Sequence, residues 1–329
     1  MNFGRDVWLT IVLLCALSMV FAIACETDDD DDNDDDDDTG DDTDDDQEDD
    51  DDAQPDDDDD DSGPPPPGCD TLQQGWNTDF MVDDVARSFF IDLPEGIEES
   101  WPWAVVFNWH GYGDTATNMR GLISNLINDD EMPFIAITPE DSGMMFDWDI
   151  FDAANPDNRE VRLFDDLLAE LDKCWGVDYD HVHSTGFSFG CGISNMLGVT
   201  RGDVLASIGC YSGVYGSNPE NSMMYAMSNW PELTTANKYA ELRIHGGAAD
   251  WMVLPFGQYA ENDRTYLNAD GHDVVICNHG SMHNMGPTKM HPSTIIEFFA
   301  DHPMGTHDSP YAAGLPGDYP GFCEFSPKD

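Results

Sequence analysis

The chain has 329 residues, with 68 acidic and 12 basic side chains and a formal net charge of −56. Glu26 to Ser62 hold 27 of the acids, yet from Gly63 onward 40 acids still face 11 bases, a net of −29 that repels phosphate backbones and excludes nucleic acid or an anionic membrane as a charge-driven partner. With no G-x-y period, no sustained heptad and one long apolar run, collagen, coiled coil and polytopic membrane protein are also excluded, leaving a globular unit of about 260 residues on an acidic stalk.

Residues 1–25 read as an export signal, in which Arg5 precedes an apolar stretch from Val7 to Ala24. The stretch ends in Ala22-Ile23-Ala24-Cys25, which resembles a bacterial lipobox. Lipidation of Cys25 and tethering to the outer membrane are therefore expected, with membrane contact only through that lipid; an ordinary cleaved signal and an uncleaved anchor are the alternatives. Residues 26–68 read as a disordered tether, because Asp runs bury too little apolar surface to offset ordering. Pro64 to Pro67 stiffen its end. Carboxylates suit Ca²⁺, but the tract lacks the spacing of an EF-hand loop, so a solvated spacer is expected.

Residues 69–329 form the expected catalytic domain. Six cysteines lie in it, Cys69, Cys174, Cys191, Cys210, Cys277 and Cys323, an even number suited to an oxidising compartment. Cys69 and Cys323 stand at its two ends, where a bridge between them would clamp the termini. Strands are predicted at Ser88–Leu93, Ala104–Trp109, Phe134–Thr138, His181–Thr185, Leu205–Cys210, Ala240–His245 and Asp273–Cys277. Helices are predicted between them at Asn118–Ile127, Glu160–Leu171, Cys191–Leu197, Gly257–Asn268 and Ser293–Asp301. Runs such as Trp103-Ala104-Val105-Val106-Phe107 are apolar without alternation, as in strands buried on both faces. The alternation implies a mostly parallel central sheet in a three-layer α/β sandwich.

One segment carries the chemistry. The strand ending at Thr185 runs into Gly186-Phe187-Ser188-Phe189-Gly190 and then a helical run, which is G-x-S-x-G in its strand–turn–helix context. Ser188 is the predicted nucleophile, and the Phe189 N–H at the helix start points where an oxyanion forms. A second donor is expected from His110-Gly111-Tyr112-Gly113, at Tyr112 N–H with Gly113 as alternative. Asp250, on the loop after Leu242-Arg243-Ile244, is the expected acid; its rival Asp263 lies in a helical pattern expected to face solvent. The base comes after Asp250 in chain order, and His283 in the loop after the last predicted parallel strand is preferred, with His279 as runner-up. His291, next to Pro292, reads as a cap-region residue. Metal binding by His279 and His283 needs both on one helix face, which Gly280 opposes, so no metal is expected there.

From about Arg87 to Pro303 the chain resembles the secreted polyhydroxybutyrate depolymerase / feruloyl esterase branch of the α/β-hydrolases. The stretches that carry this are Arg87 to Pro94, the His110-Gly111 loop, Asp165-Asp166-Leu167-Leu168 leading to Gly176-Val177-Asp178, Gly186 to Gly190, His245 to Asp250, and His283 followed by Ile295 to Phe299. The resemblance implies an α/β-hydrolase sandwich with Ser188 as nucleophile, Asp250 as acid and His283 as base. Departures are Cys191 where members often have Gly, and Asn284-Met285 where many have Trp-Pro. Cys174 matches a family cysteine, but no cysteine stands at the family's usual place near the end of the nucleophile helix.

The expected activity is hydrolysis of polyhydroxyalkanoate, feruloyl or acetyl esters by acyl transfer to water, with no cofactor. The expected partners are an ester substrate, small or polymeric, and no second subunit. Trp251, Met252, Trp148 and Phe146 are expected around an apolar pocket. The competing class is a non-catalytic surface protein that keeps the fold to bind polysaccharide.

Overall fold

The computed structural model describes residues 69–98, 102–143, 147–285, 290–317 and 319–329. The export signal, Cys25, the tether and Phe146 lie outside these described residues. The strands are β1 (Gly75–Val82), β2 (Val85–Asp92), β3 (Trp103–Trp109), β4 (Phe134–Pro139), β5 (Val177–Phe187), β6 (Ser207–Tyr211), β7 (Ala240–His245), β8 (Val274–Asn278) and β9 (Cys323–Ser326). They form one sheet in the order β1-β2-β4-β3-β5-β6-β7-β8-β9. The six strands from β4 to β8 are parallel, while the edge pairs β1–β2, β2–β4 and β8–β9 are antiparallel.

Strand β3 shows how two cores arise from one sheet. All seven of its residues are buried. Trp103, Val105, Phe107 and Trp109 enter one apolar cluster, and Ala104 and Val106 enter the other. The first cluster includes Leu163, Phe164 and Leu167 of α2 (Arg159–Trp175), Ile193 and Met196 of α3 (Phe189–Arg201), and Phe256 and Tyr259 of α5 (Phe256–Ala269). The second takes Ile295, Ile296, Phe298 and Phe299 of α6 (Ser293–Asp301). Period-2 alternation thus sends consecutive residues to opposite apolar layers, so the strand reads as an unbroken apolar run. The three-layer α/β-hydrolase sandwich expected from the sequence is the fold.

The differences are local. Helix α1 (Ala116–Arg120) stops at Gly121 instead of continuing to Ile127, as expected of the residue with the poorest helix propensity after proline. Strands β1 and β9 and helix α4 (Ser222–Met227) are additional to the predicted elements. β9 has four residues, too few to show a period, and β1 is a partly exposed edge strand of mixed polarity.

The Cys69–Cys323 bridge does not form. Cys69 pairs with Cys174, Cys191 with Cys210, and Cys277 with Cys323. Cys69 leads into β1 and Cys323 opens β9, the opposite edges of a nine-stranded sheet, on the order of 40 Å apart at ordinary strand spacing. Cys277 and Cys323 are instead register partners on β8 and β9. Cys174, in the last turn of α2, finds its partner upstream rather than on the nucleophile helix. Among the described residues no helix is long and apolar enough to cross a membrane.

Candidate active site

The predicted site residues lie past the C-terminal ends of parallel strands, where an open α/β sheet collects its loops. β5 ends at Phe187 and α3 begins at Phe189, so Ser188 alone makes the turn. Its φ of 55° and ψ of −116° lie in territory unfavourable to a residue with a side chain, at a cost of roughly 1–3 kcal/mol. The surroundings enforce that conformation. Ser188 N–H donates to Tyr211 O at 2.8 Å, and Gly192 N–H donates to Ser188 O at 3.0 Å. Gly190 lets the first turn of α3 press against β3, since a Cβ there would lie 2.0 Å from Trp109 O.

The turn aims Ser188 Oγ at His283, whose Nε2 is 2.9 Å away. On the far side of the ring, Nδ1 lies 2.7 Å from Asp250 Oδ1. Asp250 reaches this place because the three-residue 3₁₀ turn Gly247–Ala249 comes after β7. The loop after β8 carries His283 back over it. Close contact between the loops depends on Gly246, where a Cβ would meet Ser281 O at 2.0 Å. The His283 ring packs against Phe256, centroids 4.4 Å apart, and Phe187 at 4.9 Å. Its side chain is 9% exposed and that of Asp250 is fully buried.

Burial pushes the Asp250 carboxyl up, but hydrogen bonds from His283, Gly246 N–H and the Ser212 hydroxyl outweigh it and hold the group below its ordinary range. A dry carboxylate with this many donors stays ionised. Ser212 is a site residue that the sequence reading misses. Its Oγ donates to Asp250 Oδ2 at 2.7 Å, from a residue that also has positive φ, 51°, directly after β6. The only signal in the sequence is the Ser212-Gly213 pair at a strand end, which is common in turns.

Beside the Ser188 turn, Gly111 and Tyr112 come after β3, which is hydrogen-bonded to β5 with Trp109 opposite Gly186. The Tyr112 and Phe189 rings lie 5.9 Å apart, so the two expected donors sit on adjoining segments. The alternative, Gly113 N–H, donates to Asp147 Oδ2.

Several candidates go elsewhere. His279, the runner-up base, donates its N–H to His245 O and accepts at Nδ1 from Ser281 N–H, whereas Ser188 Oγ bonds His283. Asp263 does not face solvent: it is fully buried, bonded to Arg243, Asn218, Asn221 and Tyr215 N–H. Its helix presents this face to the core, and burial raises its carboxyl to about 6 against the opposing pull of Arg243. Trp148 is core rather than pocket, packed on Trp109 and His110 with Nε1 donating to His110 O. Trp251 and Met252 are exposed beside Asp250. His291 accepts from Ser293 N–H in the first turn of α6, the cap-region place expected of it.

No family model matches the chain. It is similar to feruloyl esterase D of Neurospora crassa, 25% identical over 149 residues that cover 44% of this chain and 51% of that protein. The chain thus spans about half the length of the curated relative it matches. Among solved structures it is similar to native pOPH, with a TM-score of 0.61 and 16% identity over 78% of this chain and 95% of that one. It is also similar to the acetyl xylan esterase of Aspergillus awamori, with a TM-score of 0.52 and 16% identity over 68% and 98% of the two chains. The resemblance to the polyhydroxybutyrate depolymerase / feruloyl esterase branch is borne out, and the fold is the α/β-hydrolase sandwich.

Proposed function

We propose that the chain is a serine carboxylic ester hydrolase acting through an acyl-enzyme. The observation that carries this is the unbroken hydrogen-bonded series Ser188 Oγ, His283 Nε2, His283 Nδ1 and Asp250 Oδ1. Ser188 Oγ attacks the ester carbonyl while His283 Nε2 takes its proton. Asp250 keeps the hydrogen on Nδ1 and stabilises the imidazolium that forms, and Ser212 fixes the second carboxylate oxygen. Phe189 and Tyr112 N–H groups receive the oxyanion, where one such donor contributes about 3 kcal/mol. Collapse expels the alcohol, which takes the proton from His283. Water, deprotonated by the same ring, then releases the acid and restores Ser188. These steps call on no cofactor.

The substrate is a neutral ester of the feruloyl, acetyl or hydroxyalkanoate type; the first two are in keeping with the names of the similar proteins, and a net charge of −29 from Gly63 onward (40 acids against 11 bases) disfavours anions. Trp251, 64% exposed beside Asp250, supplies an apolar rim for the acyl or aryl group. Residues 69–329 form the catalytic domain, monomeric and tethered outside the cell through the acidic segment and a lipid on Cys25. Three disulfides support an oxidising location.

A panel of acetyl, feruloyl and hydroxyalkanoate esters, run with wild type and Ser188→Ala, tests the reading. Turnover of at least one ester, lost in the variant, together with labelling of Ser188 by an organophosphonate, is expected. Equal retention of polysaccharide by both proteins, with no turnover and no labelling, would favour the binding role instead.

A further inference from the structure

Strands β3 and β4 run parallel with Phe107 opposite Ile137, and three residues further along each chain stand His110 and Glu140. His110 is completely buried. Its Nδ1 lies 2.9 Å from Gly111 O, and because a carbonyl only accepts, Nδ1 carries the hydrogen. In the neutral ring, Nε2 therefore presents a lone pair. That atom makes no hydrogen bond, although Glu140 Oε1 is 3.3 Å away and Asp141 Oδ2 is 3.9 Å away. The Glu140 pair has the separation of an ion pair but not the alignment of a hydrogen bond. A lone pair facing two carboxylates is repulsive unless a cation lies between them.

We propose that His110, Glu140 and Asp141 form a binding site for a divalent first-row metal ion such as Zn²⁺. One ligand atom from each lies within 4.8 Å of the others. Metal bonds of about 2.0–2.2 Å to imidazole nitrogen and carboxylate oxygen place tetrahedral neighbours about 3.4 Å apart, so the 3.3 Å separation already has the length of a coordination edge. A small rotation of the Asp141 side chain closes the third position. An imidazole donor with two carboxylates selects Zn²⁺ or a neighbouring transition metal over Ca²⁺ or Mg²⁺, which take oxygen. The Nδ1–H to Gly111 O bond is the outer contact that metal-bound histidines commonly make. Glu140 and Asp141 side chains are 26% and 20% exposed, which leaves a path from solvent to the buried nitrogen. The site is separate from the Ser188, His283 and Asp250 series. Its effect is to pin the end of β4 to the segment leading into Gly111 and Tyr112.

Co²⁺ is the probe, added to the purified, chelator-stripped full-length protein. The Asp-rich segment offers carboxylate oxygens, and all-oxygen Co²⁺ sites give the weak spectrum of octahedral Co²⁺, which does not mask a tetrahedral site. The expected result is a strong visible d–d band that saturates at one ion per chain and is displaced by Zn²⁺. Zn²⁺ is also expected to raise Tm in wild type. Both effects are expected to vanish in the isosteric double variant Glu140→Gln/Asp141→Asn. Independently of any variant, the ¹⁵N resonance of His110 Nε2 is expected to move on Zn²⁺ addition to wild type. Absence of the band, its persistence in the folded double variant, or an unmoved Nε2 resonance overturns the proposal. A His110 ring that carries hydrogen on both nitrogens and ignores Zn²⁺ assigns the intervening charge to a proton instead.

Discussion

The loops after β5 and β6 make the same turn for different ends. Ser188 and Ser212 each come directly after a parallel strand, and each has positive φ, 55° and 51°. Each donates its N–H to a carbonyl at the end of the next strand in the sheet, Ser188 to Tyr211 O and Ser212 to Ile244 O, both at 2.8 Å. The hydroxyls then diverge: Ser188 Oγ meets the His283 ring, and Ser212 Oγ meets the carboxylate behind that ring. The chain downstream of each serine differs as well. Phe189 opens a 13-residue helix with Ser188 at its N-cap, whereas Ser212 leads into a loop held by the Cys191–Cys210 bridge, where a Cβ on Gly213 would overlap Cys191 Sγ. On the proposed reading, strain is common to both serines, and what sets Ser188 apart as the nucleophile is the helix that starts beside it and an imidazole within reach.

The two serines part most sharply in activity. Ser188→Ala is expected to lower kcat by about 10⁴- to 10⁶-fold while Tm changes little, as seen by steady-state kinetics and thermal melts. The corresponding Ser212→Ala change should cost only about tenfold in kcat, because it removes one hydrogen bond to a charged acceptor, at about 1.5 kcal/mol. With that donor gone the Asp250 carboxyl rises, and the acid limb of the kcat profile is expected to move to higher pH. An unshifted limb would show that Ser212 does not act through Asp250.

The end of β7, which leads to Asp250, has its own pH signature. Burial, then Arg243, pulls the His245 imidazole down to about 4 from its ordinary 6.5. As pH falls the unfolded chain takes up this proton first, so the stabilisation is whole above pH 6.5 and is lost between 6.5 and 4. The difference of 2.5 units is on the order of 3 kcal/mol. His245→Asn keeps an acceptor for Gly247 N–H, which His245 Nδ1 supplies. In urea titrations, wild type is expected to lose that much relative to the variant across the window. Parallel pH dependences would mean that His245 protonates in the folded state.

The smallest effect is on strain itself. Ser188→Gly is expected to raise stability by about 1 kcal/mol, since glycine adopts the turn without penalty. Ser212→Gly should gain less or nothing, because it also removes the Asp250 bond. Equal gains would mean that the Ser212 hydroxyl contributes nothing to folding.

Much of this was legible in the residues. Unalternating apolar runs such as Trp103 to Phe107, separated by helical patterns, determined an open parallel sheet, because only strands buried on both faces can carry them. Gly186 to Gly190 between a strand and a helix determined the turn at Ser188, since the glycines are needed wherever chains pass that closely. The tertiary structure decided the pairings across long stretches of chain. His283 bonds a residue 95 positions away and Ser212 one 38 positions away, and neither distance leaves a mark on a local pattern. Asp263 has the composition of a solvated helical residue, yet it is buried because Arg243 of β7 waits beneath it. Cys69 and Cys323 stand near the two ends of the 69–329 region, but the order of the strands sends them to opposite edges of the sheet. Local periodicity sets which elements form. Strand order sets which side chains meet, and the chemistry depends on those meetings.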